Sequence, residues 1–384
     1  MSRQERFPRG KSAIVGTATD GIGEAKGFSS MDLAARAGLK ALGDAGLRLS
    51  EVDYLSVCLP DDMLSGLSLA EYLGIHPRFT NNNRTGGSSF LTHAMHAALA
   101  IEAGLCETAL ITYGANPRTS GSFVAPPGSS IYETPYGVTL AASYGLAAQR
   151  HMHQYGTTRR QLAEVAVAAR QWAMKNPEAW MREPLSIEEC LAARPVATPF
   201  TVRDCCLVCD GGAAVVMVSA ARAKDLVPRP AYLLGGAEAT THRYIAQMAD
   251  LTVTAAAESG PRAFAHAGVK PADIDVLQLY DAFTINTILF LEDLGFCRKG
   301  EGGAFVEGGR IAPGGTLPVN TNGGGLSCVH PGMYGLFTMV EAARQIGGQC
   351  GERQIPGAQL ALAHGNGGVL SSQATLILGS VETL

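Results

Sequence analysis

The sequence lacks the features that would place it in or across a membrane. No apolar run reaches the roughly 18 to 20 residues that a membrane-spanning helix needs, and the first residues lack the apolar core of a secretion signal. Neither sign of charge dominates, because the formal net charge of the 384 residues is −4. Such a balance favours neither nucleic acid nor a membrane surface as a partner. We therefore expect a soluble, cytoplasmic protein.

The sequence also shows no disulfide framework and no complete metal-binding pattern. Its nine cysteines are an odd number and are scattered through predicted strands and helices, which is typical of reduced cytosolic thiols. Cys206 and Cys209 form one C-x-x-C, but no second pair and no suitably spaced histidines accompany it. We expect no bound metal and no other bound cofactor.

What the sequence does contain is a repeated ground plan. Residues 44–46 (DAG), followed by Val52 to Leu55, recur 222 residues later as residues 266–268 (HAG), followed by Ile274 to Leu277. Each copy has the pattern of an amphipathic helix, a glycine stop and a buried strand. Two long copies of this kind indicate a duplicated domain and not a solenoid.

A glycine-rich loop precedes a long helix in each copy. Residues 85–89 (TGGSS) open the first helix, and residues 323–325 (GGG) lead through His330 into the second. When the ends of the two helices are superposed, His330 falls opposite Gly87. One copy thus offers an imidazole at the start of its helix, whereas the other offers no side chain.

The two copies are separated by sequence that has no counterpart in the second copy. We expect an N-terminal half at residues 1–117 and 206–227, an inserted loop domain at 118–205, and a C-terminal half at 228–384. We expect the insert to contain a long helix at 158–175 and to cover a substrate site. Its large aromatic side chains either line a tunnel for a bulky substrate or form the core of the insert; they are Phe123, Tyr132, Tyr136, Tyr144, Trp172 and Trp180.

Three motifs of the second copy occur in an order that a known family shares. They are Tyr280-Asp281-Ala282-Phe283, the glycine-rich loop that leads into His330-Pro331, and residues 364–368 (HGNGG). Together they resemble the thiolase superfamily, in the branch of the sterol-carrier-protein thiolases and bacterial lipid-transfer proteins. The resemblance covers nearly the whole chain. It implies an α/β fold of two βαβαβαββ halves in α-β-α-β-α layers, a tight homodimer, and substrates that carry coenzyme A.

The nucleophile of that family is missing from this chain. In thiolases, a cysteine at the start of the first-half helix attacks the thioester, and the helix N-terminus favours its thiolate. Here Gly87 falls at that position, and no cysteine lies between Cys58 and Cys106. The resemblance then points to thiolase-fold aldolases of steroid breakdown, which act on acyl-CoA without a cysteine acyl-enzyme.

Three side chains remain as catalytic candidates. Tyr280 can take a proton from a β-hydroxyl if its neighbours lower its pKa, or can donate one. An N–H of His330 can bind the thioester oxygen and stabilise an enolate, and His364 can assist proton transfer. The structural alternatives are a core aromatic ring, a histidine at a helix start, and a buried histidine that is hydrogen-bonded within a glycine-rich turn.

Smaller residues are expected to shape the substrate pocket: Gly87, Ser88, Asp281, Asn366, Gly367 and Gly368. Ser88 could also accept an acyl group, but a serine needs a dedicated base, and capping of the helix is the simpler role. In the insert, Arg150, His151 and His153 either contact the phosphoadenosine end of coenzyme A or face water.

Three functions fit these residues. The favoured one is a lyase that cleaves a β-hydroxyacyl-CoA by retro-aldol chemistry, and the others are acyl transfer of the thiolase or Claisen type and a non-catalytic acyl-CoA-binding subunit. A mere binder has little use for three polar side chains around one pocket. Relatives of this type often work with a separate partner bearing an OB-fold and a zinc ribbon. Pairing of the strand at 108–113 across a two-fold axis would fit the homodimer.

Overall fold

The computed structural model describes residues 7–121 and 133–384. Phe123 and Tyr132, two of the aromatic residues expected in the insert, lie outside the described residues, as do the first six residues. The described strands are β1 Ser12–Gly23, β2 Tyr54–Val57, β3 Phe79–Asn81, β4 Thr108–Ala115, β5 Pro195–Ala197, β6 Phe200–Thr201, β7 Asp210–Ser219, β8 Ala231–Thr240, β9 Val276–Leu279, β10 Leu360–Gly367 and β11 Ser372–Gly379.

The helices lie between these strands, and short 3₁₀ turns complete the connections. They are α1 Ser30–Asp44, α2 Ser65–Leu73, α3 Ser89–Glu102, α4 Pro117–Ser120, α5 Leu140–Tyr155, α6 Arg159–Met174, α7 Ile187–Ala192, α8 Ala220–Leu226, α9 Ala256–Ala267, α10 Thr284–Asp293, α11 Gly302–Phe305 and α12 Gly335–Gly347. Within the described ranges, no helix is long and apolar enough to cross a membrane.

Nine strands form one continuous sheet that is built from two similar halves. The order is β3-β2-β4-β7-β1-β8-β11-β10-β9, and the halves join where Ala13 and Ile14 of β1 pair with Tyr232 and Ala231 of β8. In one half β4 lies parallel to β2 and antiparallel to β7, and in the other β10 lies parallel to β9 and antiparallel to β11. The repeated sequence pattern therefore corresponds to a repeated strand arrangement.

The two halves of the sheet act as the two β layers of the α-β-α-β-α order that the resemblance implies, with helices between them and outside them. Helices α3 and α12 contact strands of both halves, whereas α1 packs on β1, β4 and β7 and α9 packs on β8 and β11. The central helices are almost fully buried because they are covered on two sides. The starts of α3 and α12 are thereby brought together in the middle of the molecule.

The predicted pairing of residues 108–113 across a two-fold axis is wrong. These residues belong to β4, which has β2 on one side and β7 on the other, so both of its edges are already hydrogen-bonded. The edge strand of this half is β3, which pairs only with β2 among the described strands. A continuous apolar run is typical of a central strand, and a central strand has no edge to offer a partner.

The predicted start of the second long helix is also wrong. Helix α12 begins at Gly335, so His330 and Pro331 lie in an irregular turn before it and not in its first turn. Gly332 has a φ of 109°, a conformation that a right-handed helix does not contain. The turn places the His330 ring beside the helix start and not within it.

Candidate active site

The candidate site lies where the starts of α3 and α12 meet. Ser88 is the N-cap of α3 and Tyr334 is the N-cap of α12. The two backbones touch, because a Cβ atom on Gly335 would lie only 1.9 Å from the carbonyl oxygen of Gly87. Glycine at these two positions therefore lets two helix N-termini, each with partly positive charge, face one small region.

The ring of Tyr280 covers Gly87. Tyr280 directly follows β9, and its Cε2 would lie 2.0 Å from a Cβ atom on Gly87. The carbonyl oxygen of Asn366 would lie 2.9 Å from the same Cβ atom. Non-bonded carbon atoms need about 3.5 to 4.0 Å, so the tyrosine ring occupies the space that any side chain at position 87 would need.

The hydroxyl of Tyr280 is held at the start of α12. It accepts a hydrogen bond from the Tyr334 N–H at 3.2 Å and donates one to the Gly332 carbonyl at 3.1 Å. Burial raises the pKa of Tyr280 well above its ordinary value, although the Tyr334 N–H acts in the opposite direction. Tyr280 is therefore a neutral phenol at pH 7 and is poised to donate a hydrogen bond.

His330 presents a ring nitrogen that has no partner. Its backbone N–H donates to the Cys209 Sγ at 3.1 Å, and its ring lies edge-to-face with Tyr280 and stacks on Tyr334. Among the described residues, no group hydrogen-bonds to its buried Nε2. Burial lowers the pKa of His330 to about 4, so the imidazole is neutral at pH 7. A buried polar atom without a partner calls for an explanation, and contact with a substrate is one.

Asp281 holds the glycine-rich loop that leads to His330. Its carboxylate accepts the N–H of Gly325 at 2.6 Å and that of Leu326 at 3.4 Å. A Cβ atom on Gly324 would lie 2.0 Å from one carboxylate oxygen, so only glycine allows this approach. Burial raises the pKa of Asp281 to about 7. The side chain predicted to shape the pocket thus acts by fixing the backbone of this loop.

His364 has no free ring nitrogen. Its Nε2 lies 2.9 Å from Gln373 Oε1, which can only accept, and its Nδ1 lies 2.9 Å from the Thr375 hydroxyl, which must then donate. Burial lowers the pKa of His364 to about 3. This arrangement matches the alternative reading of His364 as a buried, hydrogen-bonded histidine. Its assistance in proton transfer stays a prediction, and no free ring nitrogen supports it.

The bonds of His364 continue into the site through one amide. Gln373 donates from Nε2 to Asn366 Oδ1 at 2.7 Å, and Asn366 donates to the Tyr144 hydroxyl at 2.9 Å. Tyr144 in turn donates to the Gly368 carbonyl at 3.2 Å. His364 therefore helps to hold the side-chain amide of Asn366, a residue whose backbone carbonyl faces Gly87.

The remaining predicted pocket residues bring β10 close to the first glycine-rich loop. A Cβ atom on Gly367 would lie 2.0 Å from the Thr85 carbonyl oxygen and 2.5 Å from Ser88 Oγ, and Gly368 has a φ of 62°. Ser88 Oγ is buried and bonded to the hydroxyls of Thr85 and Ser372 at 2.9 Å. No histidine or carboxylate is among these partners of Ser88, and such a base is what a nucleophilic serine needs.

Other residues singled out from the sequence lie away from the site. His151 is buried and bonded to Thr157 and Glu292, so it neither faces water nor is free for coenzyme A. The indole N–H of Trp172 donates to a carbonyl in the core. The described part of the chain contains no group of three or more His, Cys, Asp or Glu residues arranged to hold a metal ion.

Two tyrosines of the site were not identified as functional from the sequence alone. Tyr334 supplies the N–H to Tyr280 and stacks on His330, and its own hydroxyl donates to Asn322 Oδ1 at 3.0 Å. Tyr144, one of the aromatic residues of the insert, stacks on Phe283. The one local signal for the role of Tyr334 is its position, four residues after His330 and directly before helix α12.

Comparisons with known proteins show which family this chain resembles. The thiolase C-terminal domain-like family matches residues 237–380. The chain is 32% identical over 383 residues to an acetyl-CoA acetyltransferase of Methanothermobacter thermautotrophicus, covering 95% of this chain and 98% of that protein. It is 33% identical over 392 residues to the 17-hydroxy-3-oxo-4-pregnene-20-carboxyl-CoA lyase of Mycobacterium tuberculosis, covering 96% and 99%. A solved Ltp2-ChsH2(DUF35) aldolase matches with a TM-score of 0.88 and 32% identity, over 97% of this chain and 99% of that one.

Proposed function

This chain belongs to the thiolase superfamily, in the branch of the sterol-carrier-protein thiolases, and we propose that it cleaves a β-hydroxyacyl-CoA by a retro-aldol reaction. The predicted superfamily and thiolase-like α/β fold are confirmed by these relatives. The observation that carries the proposal is the Tyr280 ring in the space that a nucleophile at position 87 would need. Retro-aldol cleavage needs no acyl-enzyme, whereas thiolysis by the family's usual route does.

The reaction needs a base at the β-hydroxyl and a hydrogen-bond donor at the thioester oxygen. We assign the base to His330, which is neutral and has a free Nε2. As it takes the hydroxyl proton, the Cα–Cβ bond breaks and its electrons move into the thioester to form an enolate. The β-carbon leaves as an aldehyde or ketone. The proton held by His330 then returns to Cα, which gives the shortened acyl-CoA.

Tyr280 takes the second role, at the thioester oxygen. Its hydroxyl already accepts the Tyr334 N–H at the start of α12, so turning its proton from the Gly332 carbonyl to the enolate oxygen needs little movement. Donors that are fixed before the reaction stabilise developing negative charge most effectively. A low-dielectric site strengthens this interaction further.

This assignment exchanges the two roles predicted from the sequence. The earlier assignment places Tyr280 at the hydroxyl as a base on the condition that its pKa is lowered, but burial raises that pKa. A neutral phenol can donate a proton but cannot take one, whereas a neutral imidazole with a free nitrogen can take one. Asn366, supported by Gln373 and His364, completes the wall of the pocket.

Hydrogen exchange distinguishes the two assignments. The shortened acyl-CoA product is incubated with the protein in D₂O, and deuterium at Cα is measured by mass spectrometry. Formation of the enolate then requires both the base and the donor, so Tyr280→Phe and His330→Gln are both expected to lose exchange. If exchange persists in Tyr280→Phe while cleavage is lost, Tyr280 acts at the β-hydroxyl. Tyr72→Phe and His76→Gln are the controls, since both side chains are exposed and neither is a candidate substrate contact.

The reaction class is tested with paired substrates. β-Hydroxyacyl-CoA and β-ketoacyl-CoA of the same chain length are each incubated with and without free coenzyme A. Cleavage of the hydroxy substrate without coenzyme A is the expected result. Cleavage of the keto substrate alone, and only with coenzyme A, would instead identify a thiolase.

Acyl transfer remains the second candidate, and one comparison favours it. The acetyl-CoA acetyltransferase relative matches over nearly its full length, and His330 would serve an acyl transfer equally well. Position 87 nevertheless has no room for a nucleophile beside Tyr280, so transfer would have to be direct between two bound substrates. Binding of acyl-CoA without any turnover would favour the non-catalytic subunit.

We also propose a homodimer and a separate partner protein in the cytoplasm. The edge strand β3 is partly exposed, and nearby Met63, Leu64 and Leu67 are large exposed apolar residues. An exposed edge with apolar neighbours suits pairing with a second copy. The name of the matched aldolase structure includes a DUF35 protein, which supports a small OB-fold and zinc-ribbon partner here as well. We expect no bound cofactor other than the coenzyme A of the substrate.

A further inference from the structure

A cavity of about 200 Å³ lies between α6 and the segment that leads into β7. Its walls combine polar surface with apolar side chains that include Leu185, Leu207 and Leu326, and two guanidinium groups, those of Arg170 and Arg203, line it. Neither Tyr280 nor His330 lines this cavity. The mechanism above leaves it without a role.

Arg170 is a buried cation without a carboxylate partner. Its side chain donates from Nε to Ser327 Oγ at 3.0 Å and from Nη1 to the Glu183 carbonyl at 2.8 Å, and only 3% of the residue is exposed. Within residues 7–121 and 133–384, Nη2 of Arg170 has no hydrogen-bond partner. Burial of a charge is costly unless an opposite charge compensates it.

Arg203 adds a second positive charge to the wall of the cavity. Arg203 is half-buried, and the part of the chain that the structure describes contains no ion pair to it. The acidic side chains nearby compensate this charge only in part, since Asp204 pairs with Arg159 at 2.8 Å, and Glu183 and Glu189 attract Arg170 without forming an ion pair with it. The two arginines also repel each other, and this repulsion acts with burial to lower the pKa of Arg170. An anion between them would relieve both effects.

Residues that line the cavity are hydrogen-bonded to the backbone of the catalytic motif and of the glycine-rich loop. Cys206, which lines the cavity, donates its N–H to the Ala282 carbonyl at 2.8 Å, and Leu207 donates to the Gly325 carbonyl at 2.9 Å. The cavity therefore adjoins the segment between Tyr280 and the glycine-rich loop. Its volume is below the roughly 300 to 1,000 Å³ of a complete ligand pocket, so it suits one end of a longer molecule.

We propose that this cavity binds an anionic oxygen group of the thioester substrate, with Arg170 and Arg203 as its cations. The proposal rests on the acyl-CoA function proposed above. The shared chemistry is a carboxylate on the acyl chain or a phosphate of coenzyme A. The apolar side chains beside the two arginines and the position next to the catalytic motif favour the carboxylate, because an acyl chain that ends in a charge matches both features.

Binding of unreactive thioesters tests the proposal without any turnover. Pentanoyl-CoA and glutaryl-CoA differ by a terminal carboxylate, and pentanoylpantetheine lacks the phosphates. Calorimetric titration of each into wild type and Arg203→Gln gives the contribution of the arginine. We expect glutaryl-CoA to bind the wild type about 10- to 100-fold more tightly than pentanoyl-CoA, and Arg203→Gln to abolish most of that preference.

Control variants and alternative outcomes separate the two sources of the anion. Arg160→Gln changes an exposed arginine of the same helix and should bind all three ligands like the wild type. If Arg203→Gln weakens pentanoyl-CoA but not pentanoylpantetheine, the anion is a phosphate. Unchanged affinity for all three ligands in both Arg203→Gln and a folded Arg170→Gln would overturn the anion site but leave the proposed cleavage intact. Failure of cleavage with a retained arginine-dependent preference would overturn only the cleavage.

Discussion

Substitution of Gly87 by cysteine is expected to damage the site instead of restoring thiolase chemistry. The new Cβ atom would lie 2.0 Å from Tyr280 Cε2, and carbon atoms in contact are about 3.5 to 4.0 Å apart, so the ring must move by about 1.5 to 2 Å. Overpacking of this kind costs about 1 to 3 kcal/mol of stability. A catalytic group displaced by 1 Å can lose about 100-fold in rate.

A double-mutant cycle measures this clash directly. In the Tyr280→Asn background the ring is absent and only the Asn366 backbone carbonyl oxygen, 2.9 Å away, still crowds the new Cβ atom. Gly87→Cys should therefore cost less than in the wild type, and the coupling energy between the two substitutions should exceed about 1 kcal/mol. Urea unfolding gives the four stabilities, and cleavage of a β-hydroxyacyl-CoA gives the rates. Gly43→Ala is the control, since no atom lies within 4 Å of its new Cβ and alanine favours the helix. Full activity and unchanged stability of Gly87→Cys would refute the mutual exclusion of Tyr280 and a side chain at position 87.

Three further predictions concern titration and support of the site. Since the pKa of His330 is about 4 in the folded protein, the cleavage rate should have no acid limb near pH 6.5, and a limb there in a pH–rate profile would contradict the neutral base. The folded pKa of Asp281, about 7, exceeds its unfolded value; the folded state therefore holds the proton longer as pH rises. The free energy of unfolding should then fall by up to about 4 kcal/mol as the pH rises from about 4 to 7. Urea unfolding of Asp281→Asn should show a smaller fall over the same pH range. His364→Ala should lose about 2 to 4 kcal/mol in the same assay, whereas the exposed His153→Ala should lose almost none.

The repeated ground plan was predictable because it rests on local signals. Helix stops at Gly46 and Gly268 and the glycine-rich loop at 85–89 are short-range features, and each lies at the end of an element in the structure, whereas residues 323–325 precede α12 by ten residues. The predicted position of Gly87 opposite His330 is wrong by three residues, because the N-caps Ser88 and Tyr334 correspond and Gly87 therefore matches Met333. These features locate the site without any knowledge of side-chain packing.

The properties of the site residues depend on contacts that the chain makes over long distances. His364 is bonded to residues of β11, and only the register of β10 with β11 brings those partners opposite it. The position of the Tyr280 ring over Gly87 similarly requires the two halves to pack together. Burial then sets the direction of the pKa shifts of Tyr280 and His330, on which the roles proposed for them depend.

The wrong prediction for strand β4 has a different cause. The apolar residues 108–113 indicate a central strand, and a central strand cannot also supply a free edge for a dimer. The predicted pairing across a two-fold axis is therefore incompatible with the composition of this stretch. The short, partly exposed β3 has the properties of an edge strand.

The central claim is that the reaction proceeds without an acyl-enzyme, and intact-mass spectrometry during turnover tests it most directly. The protein is quenched in acid while it is cleaving a β-hydroxyacyl-CoA at saturating concentration, and its mass is compared with that of the resting protein. We predict an unchanged protein mass while the aldehyde or ketone and the shortened acyl-CoA accumulate. A protein adduct with the mass of the acyl group, formed and lost at the rate of turnover, would contradict the account.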